Sequence, residues 1–162
     1  ESDVLLEIAN SGAFDSAQVF YNILNPSAGQ DMPPEWEGQN FHGLIAACRE
    51  NETGVMAVRI FAAGVLATDQ RTGRESIQYE NASISSEEAR AHAVFNVLED
   101  RYGSRAQTAV RFCLVHPDID VVNVGVYDTA QLDEAVKATE MGPLPGEAIQ
   151  ALEQLYSKNF NL

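Results

Sequence analysis

Residues 104–135 read SRAQTAVRFCLVHPDIDVVNVGVYDTAQLDEA, and this stretch decides the fold. Ala106, Ala109, Val110, Cys113 and Leu114 recur at helical spacing. Ser104, with Gln107 three residues on, is a capping-box start for that helix. His116-Pro117 stops it, because a residue before proline is pushed out of the α region. Val121 to Val126 is a β-branched run long enough for one buried strand. Asp128 then caps a further helix, with Gln131 at its third position. A mostly apolar strand between two helices argues for a parallel α/β sheet.

The rest of the chain extends this pattern in both directions. Val4, Leu5, Ile8 and Ala9 share one face of a helix over Ser2–Asn10, with Gly12 after its end. A strand is expected over 17–24, broken by Asn25-Pro26-Ser27-Ala28-Gly29, and a polar loop runs through Pro33-Pro34-Glu35-Trp36. Phe41, Leu44, Ile45 and Cys48 predict a helix over about 40–52, ended by Thr53-Gly54. The next strand spans 55–61 and leads into Ala62-Ala63-Gly64. Residues 69–81 are polar and aperiodic, an exposed excursion. Ser85 with Glu88 opens a helix carrying Ala89, Ala93, Val94, Val97 and Leu98, ended by Gly103. Pro143-Leu144-Pro145 starts a last helix bearing Ile149, Leu152 and Tyr156. The whole is a (β/α) series of three strands, most simply one domain over residues 1–162.

Composition narrows the function. Ten Lys and Arg against 24 Asp and Glu leave a formal charge of −14, a surface that repels nucleic-acid phosphates. No apolar run approaches the ~18 residues of a membrane span, and the acidic Glu1-Ser2-Asp3 is unlike a signal peptide. Cys48 and Cys113 both fall on apolar helix faces, as small buried hydrophobes in a reducing, cytoplasmic compartment would. The glycosylation patterns Asn51-Glu52-Thr53 and Asn81-Ala82-Ser83 read as chance matches in that setting.

The residues alone show no complete reaction centre. His42 lies in the first turn of an expected helix, His92 lies on a helix and His116 at a helix end, all fitting surface or capping roles. No histidine stands at metal-ligand spacing from a cysteine or carboxylate. Gly103-Ser104 lacks the strand–turn–helix elbow of a nucleophile, and neither GxGxxG nor GxxxxGK occurs. Two segments follow strands and suit an anion: 59–64, a basic side chain before a small-residue turn, and 125–135, a glycine before a helix N-terminus.

Phe112-Cys113-Leu114-Val115-His116-Pro117, then Val121 to Gly125, then Gln131-Leu132, resembles the last strand–helix unit of the aldo/keto reductase family. Gln18 to Asn25 resembles that family's sixth strand, and Gly54 to Leu66 its seventh. The resemblance implies a (β/α)8 TIM-type barrel of which this chain supplies the last three strand–helix units. It implies NAD(P)H-dependent, metal-free and reversible reduction of an aldehyde, ketone or sugar. The family's catalytic Asp, Tyr, Lys and His belong to its early strands, so no catalytic residue is carried over. Gln18 matches the glutamine that holds the nicotinamide carboxamide. Arg59, Phe61 and Gly64 fall where the diphosphate is cradled, and Gly125, Gln131 and Glu134 around the adenosine end.

Departures accompany the match. Val58 stands where many members stack an aromatic ring on the nicotinamide. Gly125 and Gln131 stand where many have a Lys or Arg for the 2′-phosphate, and Ala135 where many have Asn. NADP and NAD are therefore both open as cofactors. Three parallel strands cannot close a barrel and leave an open apolar face. Self-association, or a chain carrying the missing strands, is the expected partner, alongside a small-molecule carbonyl substrate. The alternative is a non-enzymatic half-barrel that binds a nucleotide or a partner protein.

Overall fold

Local chemistry and remote pairing together fix the elements. The computed structural model describes residues 2–77 and 82–162. In chain order they are α1 (Ser2–Asn10), β1 (Ser16–Phe20), α2 (Leu44–Glu50), β2 (Gly54–Val58), α3 (Ile84–Leu98), α4 (Arg105–Cys113), β3 (Val121–Val122), α5 (Thr129–Met141) and α6 (Gly146–Tyr156), with short 3₁₀ turns at Ala62–Gly64 and Asn159–Asn161. The sheet is parallel in the order β1-β2-β3. Ala17 pairs with Val55, Val19 with Ala57, and Ala57 with Val122. Family strand order and parallel pairing are as expected from the sequence.

All three strands are shorter than their apolar runs. β1 ends at Phe20, not at 24, because the Asn22 side chain takes over the backbone donors. Its Oδ1 accepts from Leu24 N at 2.9 Å and Asn25 N at 3.0 Å, an Asx turn. β2 ends at Val58, not at 61, because Arg59 is left-handed at φ 63°. β3 spans two residues, not 121–126. Asn123 N still reaches Ala57 O at 2.9 Å, but β2 then turns away and offers Val124 to Val126 no carbonyls to pair with. β-branched composition reports a preference for extended backbone, not the presence of a partner.

The helices follow their caps. Ser104 Oγ accepts from Gln107 N at 3.1 Å while Gln107 Oε1 accepts from Ser104 N at 3.0 Å, the expected capping box. Asp128 Oδ1 accepts from Gln131 N at 2.8 Å, as expected. α3 is corrected: Ser83, not Ser85, is its cap, paired with Ser86, and the helix ends at Leu98 rather than near Gly103. Ser85 has the right side chain, but it already lies inside the first turn. α2 starts only at Leu44, after His42 and Gly43 at φ 52° and 69°, so His42 precedes the helix. The excursion from 69 has no helix or strand through Ile77; its remainder, 78–81, and the Asn81 pattern lie outside the described residues.

The core lies between the sheet and the helices. Ile23, Leu24, Ile45, Ile60, Leu66, Leu98, Leu152 and Phe160 are fully buried. Arg111 ties this layer together, donating to the carbonyls of Tyr102 at 2.7 Å, Gly142 at 2.8 Å and Pro143 at 3.1 Å. Cys48 and Cys113 are free and buried, and burial pushes both thiols up.

Candidate functional site

In a parallel sheet, every segment that follows a strand emerges at the same end, and here those segments converge. A cleft of about 330 Å³ is lined by Phe61, Gly64, Ala67 and Thr68 after β2 and by Gly125 and Val126 after β3. Ala106 of α4 and Gln131, Glu134 and Ala135 of α5 complete it. Gly64 sits at φ 94°, a conformation that other residues rarely adopt. A Cβ on Gly64 or Gly125 would meet no atom within 4 Å, so neither glycine is there to relieve crowding within the chain.

The polar groups of the cleft are held by helix-cap chemistry. Ser104 Oγ donates to Glu134 Oε1 at 2.6 Å, joining the start of α4 to α5. Gln131 Oε1 accepts from Tyr127 N at 3.1 Å, closing the turn before α5. Beside the mouth, Asp69 receives the Arg105 guanidinium and lies 3.3 Å from His92 Nε2. Arg105 is the main reason the Asp69 carboxyl is held below its usual range. The Arg105 guanidinium also stacks over Phe95 at 4.9 Å.

Five of the seven expected site residues therefore share one cleft: Phe61, Gly64, Gly125, Gln131 and Glu134. Gln18 and Arg59 do not line it. Gln18 borders a second cleft of about 420 Å³ on the β1 side, with Val4, Leu5, Phe20, Gln39, Phe41 and Leu44. Arg59 turns away because its backbone is left-handed; its guanidinium donates to Ser76 O and lies 6.0 Å from the Phe20 ring. Its buried Nε finds no hydrogen-bond partner among the described residues. Thr68, Ala67 and Ala106 lie outside the two expected segments, 59–64 and 125–135. Thr68 and Ala67 are far along the chain from the strand end, and Ala106 joins from another helix, so only spatial convergence reveals them.

His116 is structural: its Nδ1 accepts from Asp118 N at 3.2 Å and its Nε2 is 3.3 Å from Gly29 O. Among the described residues, no three His, Cys, Asp or Glu side chains gather as a metal site. No helix among them is long and apolar enough to cross a membrane.

Helices outside a parallel sheet, with a cleft at the carboxyl ends of its strands, define part of a TIM-type barrel. The aldo/keto reductase family model matches residues 7–157, and the chain belongs to that family. Among solved structures, the aldo-keto reductase AKR11C1 from Bacillus halodurans in its holo form is similar, with a TM-score of 0.68 and 19% identity over 96% of this chain and 47% of that one. The apo form gives 0.66 and 22% identity, over 96% and 48%. The chain thus spans about half the length of these structures. A comparison with curated proteins found no match.

Proposed function

We propose that this chain is the C-terminal portion of a nicotinamide-dependent aldo/keto reductase, and that the cleft after β2 and β3 receives the adenosine end of the dinucleotide. The carrying observation is the convergence of Phe61, Gly64, Gly125, Gln131 and Glu134 from three separate segments into one cleft. Its chemistry suits a nucleoside: Phe61, Ala67, Ala106 and Val126 offer apolar walls, and Thr68, Gln131 and Glu134 offer polar edges. The open space at Gly64 and Gly125 lets a ligand approach the backbone closely. Gln18, exposed on β1, would meet the nicotinamide end from the second cleft. Arg59 and Phe61 would serve the diphosphate between them; Arg59 must first leave Ser76.

The cofactor, when bound, supplies the hydride for carbonyl reduction. This chain's residues bind and orient it, while proton transfer falls to the family's early strands. A second reading, a half-barrel that binds a partner without catalysis, is favoured by the exposed Val121 on the sheet.

The test is a titration of isotope-labelled chain with NADPH and NADH, followed residue by residue by NMR. Shifts concentrated at Gly64, Gly125, Gln131 and Glu134 are expected; shifts elsewhere, or none at millimolar ligand, would overturn the assignment. In the same samples, aldehyde-dependent oxidation of either cofactor should stay at the blank rate, because general acid catalysis and orientation together account for many decades of rate.

A further inference from the structure

We propose that residues 158–162 are a latch: Phe160, docked between Trp36, Arg90 and Tyr156, fixes the loop that follows β1, and the latch opens without unfolding of the sheet. Phe160 is 1% exposed, whereas Lys158, Asn161 and Leu162 around it are exposed. Its ring centroid lies 5.9 Å from that of Trp36 and 5.7 Å from that of Tyr156. The Arg90 guanidinium lies over Phe160 at 5.3 Å and over Trp36 at 5.5 Å, and Glu87 Oε1 accepts from it at 3.4 Å. One side chain thus joins the loop after β1 to α3 and α6. Across residues 30–38, the one hydrogen bond between described residues runs from Trp36 N to Pro33 O at 3.0 Å. Trp36 is therefore the loop's anchor, folded so closely on Gly38 that a Cβ there would meet its ring at 2.7 Å. Gln39, the next residue, lines the second cleft beside Gln18, so the latch fixes one wall of that cleft.

The docked state carries its own opposition. Asn159, Phe160 and Asn161 are all left-handed, at φ 43°, 63° and 59°. Asparagine tolerates that region, but a bulky residue such as phenylalanine rarely adopts it. Docking also buries Trp36 Nε1 and Asn159 Oδ1 with no hydrogen-bond partner among the described residues. Such atoms regain their hydrogen bonds from water when the segment swings out. Against these stand the burial of one ring and its aromatic and cation contacts. Segments with few backbone hydrogen bonds and exposed neighbours open at lower free energy than the core. The latch shares no residue with the cleft after β2 and β3, whatever that cleft binds.

Trp36 is the chain's single tryptophan, so its fluorescence reports the latch. In wild type, native-state hydrogen exchange should show the Trp36 amide opening more readily than the amides of β2 and α4. Phe160→Ala should shift the Trp36 emission to longer wavelength and raise its quenching by acrylamide several-fold, while the β2 and α4 amides keep their protection. Asn161→Ala and Asn161→Gly form a second pair, because the Asn161 side chain is exposed and makes no hydrogen bond among the described residues. Alanine resists the left-handed region and should open the latch in part; glycine accepts it and should keep Trp36 as shielded as in wild type. A ring that merely fills the core would not distinguish the two. Three results each overturn the latch: Trp36 staying shielded in Phe160→Ala, equal protection of the Trp36, β2 and α4 amides in wild type, or identical quenching in Asn161→Ala and Asn161→Gly. Should Phe160→Ala fail to fold, the wild-type exchange and the Asn161 pair decide alone.

Discussion

The two faces of the β1–β3 sheet come from the same few residues yet end in different surroundings. On one face, Val19, Val55 and Ala57 are 1%, 1% and 0% exposed, covered by the chain's own helices. On the other, Gln18 is exposed, Phe20, Met56 and Val58 are half-buried, and Val121 is 48% exposed. Both faces are largely apolar, so composition does not distinguish them. In a closed barrel the second face would meet the filled interior. The contrast teaches that this chain completes its helix layer and leaves its interior face to something else.

The sharpest way to break this contrast is a charge on each face. Ala57→Asp should abolish cooperative folding, since an unpaired buried carboxylate costs several kcal/mol, comparable to a domain's whole stability. Met56→Asp, one residue away on the other face, should cost about 1 kcal/mol in urea unfolding. Equal losses would mean that the second face is buried too. Arg111→Ala tests the helix layer itself. It strands the carbonyls of Tyr102, Gly142 and Pro143, and should cost about 3 kcal/mol, with the loss read from the urea midpoint.

The open face should also associate. Sedimentation at physiological salt should show species heavier than the 17.7 kDa chain, growing with concentration, and Val121→Asp should weaken that association by about 1–2 kcal/mol. A concentration-independent monomer would show that the half-buried face needs no cover.

The smallest effect concerns Glu87, buried at 1% exposure on α3. Burial raises its carboxyl above the usual range, opposed by Arg90 at 3.4 Å and by Arg59. A raised acid binds its proton more tightly in the folded state, so its contribution is greatest at low pH and is lost as pH rises from about 4.5 through the folded pKa. Glu87→Gln should therefore flatten the decline of the urea midpoint between pH 4.5 and pH 7 relative to wild type; parallel pH profiles would show that Arg90 and Arg59 neutralise Glu87 fully.

Much of the lining of the candidate cleft was legible because its signals are local. Gly64 and Gly125 follow apolar runs, and Gln131 and Glu134 follow an Asp cap by fixed helical offsets, so their positions on elements can be counted along the chain. Gln18 and Arg59 were equally visible as residues, but their directions were not. Gln18 lies on the β1 side, and Arg59 is turned by a left-handed backbone toward Ser76.

The sequence by itself determined α1, the caps of α4 and α5, the order of three strands and the family. The elements follow from periods of 3.6 and 2 and from side chains that bond their own neighbours, and the family from motifs that match in order and spacing. Only the tertiary structure decided that β3 stops at Val122, that Ser83 caps α3, and that Thr68 and Ala106 meet Glu134 across one cleft. A strand ends where its partner's carbonyls end, and a cleft forms where distant segments converge; both depend on atoms far away in the chain.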